Sequence, residues 1–460
     1  VALVGGYLWI NSSSAISLST EEFVSQSEPL REREAGKIFN EILETFLRGS
    51  FRSTGSGERV GVAASNKYFQ NFLKEKLSDI IQQTTTHASK VEIINTVLAN
   101  FSTFIAIARD RMDADIRAGT LTYLGIDETD RVTELRPLGD ETHNEGRIPL
   151  QVIFASGKTI VYKPRSMLPE YLICDATDGV LSKEGFGTYR VVCRGDERGD
   201  YGYSDFLENL EEENTVSTVG EVEEYIRRMC LLEQVAKRLI LSDLHFLNII
   251  TSCLSPCIID GEVFLNPPNT ESGIFDKALG PLHVFRVARE RGKNRIWFHP
   301  DLLSGKDCNF VSGMSEEDLK KIGVDIDKVK AKASLSEGTL TEIEKAKKRL
   351  QPQKGRFVLV ETGKLQGMQF HLDYRQDERV DIFIKMLQQH VEKKGFTFNQ
   401  DAMALIREGI IRDIRNHDVP IFYYDSVREE VLYNDGVIGY RNSGASSSGA
   451  ASSSSSSTDT

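Results

Sequence analysis

From Ser19 to about Met112 the apolar residues return every three or four positions, the spacing that places them on one face of a helix. Ser19 or Thr20 can cap the first of these stretches, and Ile38, Ile42, Leu43 and Phe46 line the second. "KYFQNFLKEKLSDIIQQTT" and "KVEIINTVLANFSTFIAIARDRM" repeat the pattern. A helical N-terminal region over residues 19–130 is therefore expected.

The pattern then changes period. Between Gly146 and Ser166 two short β-rich runs, Leu150 to Phe154 and Thr159 to Tyr162, flank Ala-Ser-Gly-Lys, which predicts a hairpin with Lys163 at its far end. "YRVVC", Tyr189 to Cys193, reads as a further strand, and Val219 to Leu241 as a long helix. Beyond them, Glu316 to Leu350 is charged and helical, "RFVLVET" and "MQFHLDY" look like paired strands, and Arg379 to Arg415 supplies two amphipathic helices. No internal repeat of fixed period occurs.

Composition adds bounds. The 460 residues, 40% hydrophobic and 27% charged, are enough for a sizeable core in two or three packed units or one elaborated catalytic domain. A net charge of −12 argues against a general nucleic-acid binder, which needs a basic face. The six cysteines form no framework; Cys253 and Cys257 read as small strand or turn residues rather than a zinc pair, and the expected setting is reducing and cytoplasmic. "VALVGGYLWI" is too short to span a bilayer, so residues 1–18 are expected to be an apolar lead-in at the start of a fragment, and residues 441–460, rich in Ser, Gly and Ala, a disordered tail.

Candidate chemistry concentrates in "SDLHFLNIITSCLSPCIIDGEVF". Asp243, His245 and Asn248 fall within six residues, and Asp260 follows an apolar run. Singly, each is an ordinary turn or strand-end residue. In order, with Lys163 on a strand about 80 residues upstream, they form the sequence of parts that phosphoryl transfer requires. Asn248 and Asp260 would hold Mg²⁺, Lys163 would meet the nucleotide phosphates, and Asp243 would orient or deprotonate a Ser or Thr hydroxyl. Asp-Phe-Gly is replaced by Asp260-Gly261-Glu262, and the His follows Asp243 instead of preceding it, an order used by lipid-kinase-like folds.

Five ordered segments resemble the dehydratase domain of type II (LanM-type) lanthipeptide synthetases: "DETHNEGR" (Asp140 to Arg147), "VYKPRS" (Val161 to Ser166), "DYGYSDF" (Asp200 to Phe206), "SDLHFLNII" with "CIIDGEVF", and "IRNHDVPIFYY" (Ile414 to Tyr424). The resemblance implies an α+β fold with a kinase-like (lipid-kinase-like), two-lobed core over residues 131–440, preceded by the helical region and carrying additional helices. It implies Mg²⁺ and ATP, and a Ser/Thr-containing precursor peptide that is phosphorylated and then loses phosphate. Lys163, Asp243, His245, Asn248 and Asp260 would serve phosphorylation, with Arg165 beside Lys163 on the nucleotide. His143 with Asp140 or Glu141 would serve elimination. Leu247 stands where the family usually has Glu, and the family's Arg- and Thr-bearing strand has only Arg375 and Arg379 as candidates between Met368 and Phe383. No cyclase segment is recognised, so ring closure is expected to need a separate cyclase in trans. The alternatives are a kinase of the same fold that does not eliminate, and an inactive nucleotide- or peptide-binding scaffold. No nucleic-acid or membrane-spanning role is expected.

Overall fold

The structure, a computed structural model, describes residues 2–4, 7–9, 60, 65–83, 87–139, 141–186, 188–208, 215–216, 218–241, 244, 248–252, 255–265, 286–290, 293–297, 320, 323–357 and 377–441. Asp140, Asp243, His245, Leu247, Cys253 and Arg375 lie outside the described residues, as do the helices expected before residue 60, the "MQFHLDY" strand and the Ser-rich tail.

A short hairpin of β1 (Ala2–Val4) and β2 (Tyr7–Trp9) precedes two helices, α1 (Asn66–Gln83) and α2 (His87–Arg117). Phe69, Leu73 and Leu77 recur every fourth residue on α1, and Phe101, Ile105, Ala108 and Met112 do so at three- to four-residue spacing on α2. Both stripes bury against one face of a five-stranded antiparallel sheet. Its strands are β3 (Val132–Pro137), β4 (Leu150–Phe154), β5 (Thr159–Lys163), β6 (Val191–Asp196) and β7 (Gly199–Asp205), in the order β3-β4-β5-β7-β6. The predicted hairpin is β4–β5, with Leu150 opposite Tyr162; the strand expected from Tyr189 begins two residues later, at Val191, because Tyr189 is spent on a bridge to Asp175. Between β5 and β6 lies the short helix α3 (Leu168–Cys174).

A polar seam crosses this first core. Arg111 of α2 grips Asp196 through Nε (2.9 Å) and Nη2 (2.6 Å) and donates to the Tyr162 hydroxyl at 3.1 Å. One turn on, the Asp115 carboxylate accepts from Tyr201, Tyr203 and Arg194, each at 2.9 Å. Asp115→Ala would leave buried hydroxyls without an acceptor, and a loss of about 2–4 kcal/mol is expected, read as a lowered urea midpoint at unchanged slope. Asp115→Asn, which keeps one acceptor, should lose less.

β8 (Thr215–Val216) leads into α4 (Val219–Leu239), whose start is fixed by a capping box: Thr218 accepts from the Glu221 N–H while Glu221 accepts from the Thr218 N–H. Its buried stripe, Val222, Tyr225, Ile226, Met229, Leu232, Val235, Ala236 and Leu239, forms a second core with α3, with the hairpin of β9 (Ile249–Ser252) and β10 (Ser255–Ile258), and with two later helices. β11 (Arg286–Glu290) and β12 (Lys293–Trp297) pair beside β8. The stretch expected to be helical from Glu316 to Leu350 contains α5 (Ile326–Lys332) and α6 (Glu337–Leu350), since Asp325 and Ser336 each cap an N-terminus.

The last unit is a sheet of β13 (Lys354–Phe357), β14 (Thr397–Phe398), β15 (Phe422–Asp425), β16 (Glu430–Tyr433) and β17 (Gly436–Tyr440), packed on α7 (Asp377–Lys393) and α8 (Met403–Arg415). Its order is β13-β15-β16-β17-β14. The start of "RFVLVET" is thus paired with Phe422–Asp425, about 65 residues away, a partner that local spacing does not announce. No helix among the described residues is long and apolar enough to cross a membrane.

Candidate active site

The three units meet around the end of β5. Lys163 ends that strand and is buried; Pro164 stops the strand, and α3 begins with Pro169 in its first turn, where a missing N–H costs nothing. The tight connection carries Glu170, fully buried in the first turn of α3, back against Lys163, with Nζ 3.2 Å from Oε1. Lys163 Nζ also donates to the Ile259 carbonyl at 2.5 Å and stands 3.9 Å from the Asp260 carboxylate. The backbone before Asp260 is held from three sides: the Tyr189 hydroxyl donates to Ile258 O at 2.7 Å, Ile259 N–H donates to Asn248 O at 2.9 Å, and Lys163 takes Ile259 O. The bond to Asn248 O thereby sets Asn248 against the residue that precedes Asp260.

Arg165 lies at the centre of the charges. It pairs with Glu170 and Asp260 and, through Nε at 3.0 Å, with Glu262, which Arg356 of β13 also grips. Burial opposes ionisation of Glu170, but Arg165 and Lys163 outweigh it and hold the carboxyl below its ordinary range. Glu262 is affected in the same way, burial being overcome by Arg356 and Arg165, and falls to about 2. β13 comes this close because residue 355 is glycine: a Cβ there would stand 2.6 Å from the Phe264 carbonyl oxygen. Arg356 N–H then donates to Glu262 O at 3.0 Å.

His143 enters from the other side. Its loop closes on itself through His143 and Arg147 and runs through three successive residues of left-handed backbone, Asn144 (φ 46°), Glu145 (φ 68°) and Gly146 (φ 80°). Such a turn is costly for non-glycine residues and needs outside support. Asp418 supplies it, accepting from Glu145 N–H at 2.7 Å, from Gly146 N–H at 3.1 Å and from the Thr142 hydroxyl at 2.5 Å. Lys76 of α1 reaches the same Thr142 hydroxyl and the His417 carbonyl. His143 Nδ1 lies 2.8 Å from Val419 O; a carbonyl only accepts, so Nδ1 carries the proton and Nε2 keeps its lone pair. Burial first, then the charge of Arg356, lowers His143 to about 4, so it is neutral at pH 7. Glu141, one alternative for the acid of this segment, is exposed.

His417 is lowered to about 3 by burial and by Lys76. Both histidines therefore bind fewer protons folded than unfolded between their folded values and the ordinary 6.5. Their contribution to stability is present above about pH 6.5 and is lost as pH falls toward 4. The thermal midpoint should decline over that window, and His143→Asn should flatten the slope; an unchanged slope would refute the assignment.

Lys163, Arg165, Asn248, Asp260 and His143 are brought into one region. Glu170, Glu262, Arg356, Asp418 and Lys76 join them, although the sequence reading gave them no role. Glu170 had a local signal, a carboxylate alone in the apolar turn "MLPEYLIC" seven residues after Lys163. Glu262 sits inside the "DGEVF" segment and Asp418 inside "IRNHDVPIFYY", whereas Arg356 carries no local mark.

Residues 91–284 match the family described as Domain of unknown function (DUF4135). The chain is also 28% identical over 151 residues to the lacticin 481/lactococcin biosynthesis protein LcnDR2 of Lactococcus lactis subsp. lactis, covering 31% of this chain and 16% of that protein. The chain thus spans about a sixth of the length of the curated relative that it matches. Taken with the five ordered segments, these two matches identify the chain as similar to the LanM-type lanthipeptide synthetases.

Proposed function

We propose that the chain is a lanthipeptide-type dehydratase, which phosphorylates Ser and Thr of a precursor peptide with Mg-ATP and then eliminates the phosphate. The observation that carries this reading is the buried Lys163–Glu170 pair set against Asp260. A strand lysine steadied by a helix carboxylate, next to an acidic loop, is the arrangement that a kinase-like two-lobed core uses to seat a nucleotide. In it the β3–β7 sheet with α3 would form one lobe and the α4, β9–β10 region the other.

The donors suit Mg²⁺. Among the described residues no three His, Cys, Asp or Glu side chains are grouped to cage a metal, but Mg²⁺ is commonly held by one or two carboxylates with phosphate and water supplying the rest. Asp260, a third exposed, and Asn248 would hold it, and when bound it would draw charge from the transferring phosphoryl group. Lys163, fixed by Glu170, would meet the phosphates. Asp243 would accept the proton of the attacking hydroxyl, and His245 would offset charge developing beside it. For elimination, a base among Asp140, Glu141 and His143 would take the Cα proton. The C–H electrons then form the Cα–Cβ double bond as the Cβ–O bond breaks and phosphate departs with its electron pair, toward Arg356. The free lone pair on His143 Nε2 and the neighbouring Arg356 favour a chain able to eliminate over one that only phosphorylates.

The thermal midpoint should rise with Mg-ATP in the wild type, and the rise should vanish in Asp260→Asn and Lys163→Ala. Mass spectrometry of Ser/Thr peptides then separates the two chemistries: a product lighter by water for dehydration, one heavier by phosphate for transfer alone. A wild type that gains nothing from Mg-ATP would leave the inactive-scaffold reading in its place.

A further inference from the structure

Three cations and three carboxylates meet at the nucleotide end of the site, and one residue touches all three acids. Arg165 donates to Glu170 from both terminal nitrogens (3.2 Å from Nη1 to Oε2), to Asp260 from Nη2, and pairs with Glu262 from Nε at 3.0 Å. Lys163 and Arg356 complete the balance against Glu170, Asp260 and Glu262. Among the described residues of the cluster the formal charges cancel. The arrangement is also graded from inside to outside, since Glu170 is fully buried while Asp260 is 33% and Arg165 25% exposed. The Arg165–Asp260 contact is therefore the one that solvent and a ligand can reach.

We propose that Arg165 is an exchange residue: in the nucleotide-free protein it stands in for the divalent cation on Asp260, and it moves onto polyphosphate only when cation and nucleotide arrive together. The inference rests on the nucleotide-site reading above. A cation arriving alone meets a carboxylate that is already neutralised, and it would drive Arg165 off Asp260 with no new anion to receive it. A cation on a triphosphate brings a net negative group, whose oxygens match the planar fork of the guanidinium that Asp260 releases. Glu170, buried behind Arg165, keeps hold of the guanidinium through Nη1 while Nη2 exchanges its partner. Cation and nucleotide then bind with positive coupling, each raising affinity for the other by the same factor. Lysine at this position would keep one charge but could not bridge three acids.

The test is binding of Mn²⁺, followed by loss of the free-ion paramagnetic resonance signal, with and without a non-hydrolysable ATP analogue, in the wild type, Arg165→Gln and Arg165→Lys. Wild type should take up Mn²⁺ at least about tenfold more tightly with the analogue than without it. Arg165→Gln should gain Mn²⁺ binding in the absence of nucleotide and lose most of the coupling, while Arg165→Lys should fall between. Equal Mn²⁺ affinity with and without analogue in the wild type overturns the exchange. So does an Arg165→Gln protein with a native circular dichroism spectrum and no gain in Mn²⁺ binding; if that variant does not fold, wild-type coupling retained in full by Arg165→Lys overturns it instead. A wild type that binds the analogue under no condition fails at the nucleotide site itself, and is recognised by the absence of any analogue-dependent signal.

Discussion

Glu170→Ala is expected to lower the stability of the fold by about 3–5 kcal/mol and to remove the Mg-ATP-dependent rise in thermal midpoint. The carboxylate has no solvent exposure, and both Lys163 and Arg165 are turned toward it. Removing one partner of a buried ion pair costs more than the pair contributes, because the remaining charge is left without either water or a counter-ion. Here two charges are affected. Lys163 would keep only the Ile259 carbonyl and the more distant Asp260, and Arg165 would shift wholly onto Asp260 and Glu262. Glu170→Gln keeps the shape and one acceptor, so it should fold with a smaller loss yet still fail to hold Lys163 for the phosphates. Equilibrium unfolding in urea gives the first quantity and a melting curve with Mg-ATP the second. A Glu170→Gln protein with an undiminished nucleotide response would remove Glu170 from the site.

Asp418→Ala is expected to cost about 2–4 kcal/mol and to release the His143 loop. One carboxylate satisfies two backbone N–H groups and a buried hydroxyl, and these bonds hold two non-glycine residues in left-handed backbone. Without them the turn has no reason to persist, and His143 loses the Val419 carbonyl that fixes its proton on Nδ1. Burial raises the Asp418 carboxyl above its ordinary value despite Lys76 and the Thr142 hydroxyl, so isosteric Asp418→Asn should be the milder change. The imidazole nitrogen resonances of His143 report the outcome: a single Nδ1–H form in the wild type, and exchange between the two tautomers in Asp418→Ala. Persistence of the single form would show that the loop stands without Asp418.

The helices α1, α2, α4, α7 and α8 and the β4–β5 hairpin were legible because each is a local matter of period and capping. Leu73, Ile105 and Met229 recur at helical spacing whatever lies across from them, and Thr218 with Glu221 marks its helix from four residues. The edge of the last sheet was not legible, because the partner of Lys354–Phe357 is chosen by tertiary packing and lies beyond α7 and α8. The site divides along the same line. Lys163, Asn248 and Asp260 were singled out by order and spacing, and the fold brings their backbone and charges into one region. Arg356 is an ordinary arginine, and Asp418 a residue of a recognised segment with no role assigned, until the fold brings them to Glu262 and Thr142, 94 and 276 residues away in the chain.

Those separations set a timetable for the polypeptide as it leaves the ribosome. Lys163 with Glu170, seven residues apart, and then Asp260 can come together once residue 260 has emerged, while the His143 turn must wait for residues 417–419. Contacts of long sequence separation form late, since chain closure has to be met before they stabilise anything. A nascent chain would thus assemble the Lys163–Glu170 end well before the end that holds His143. During refolding, a nucleotide-dependent signal should precede protection of the Glu145 and Gly146 amides from hydrogen exchange.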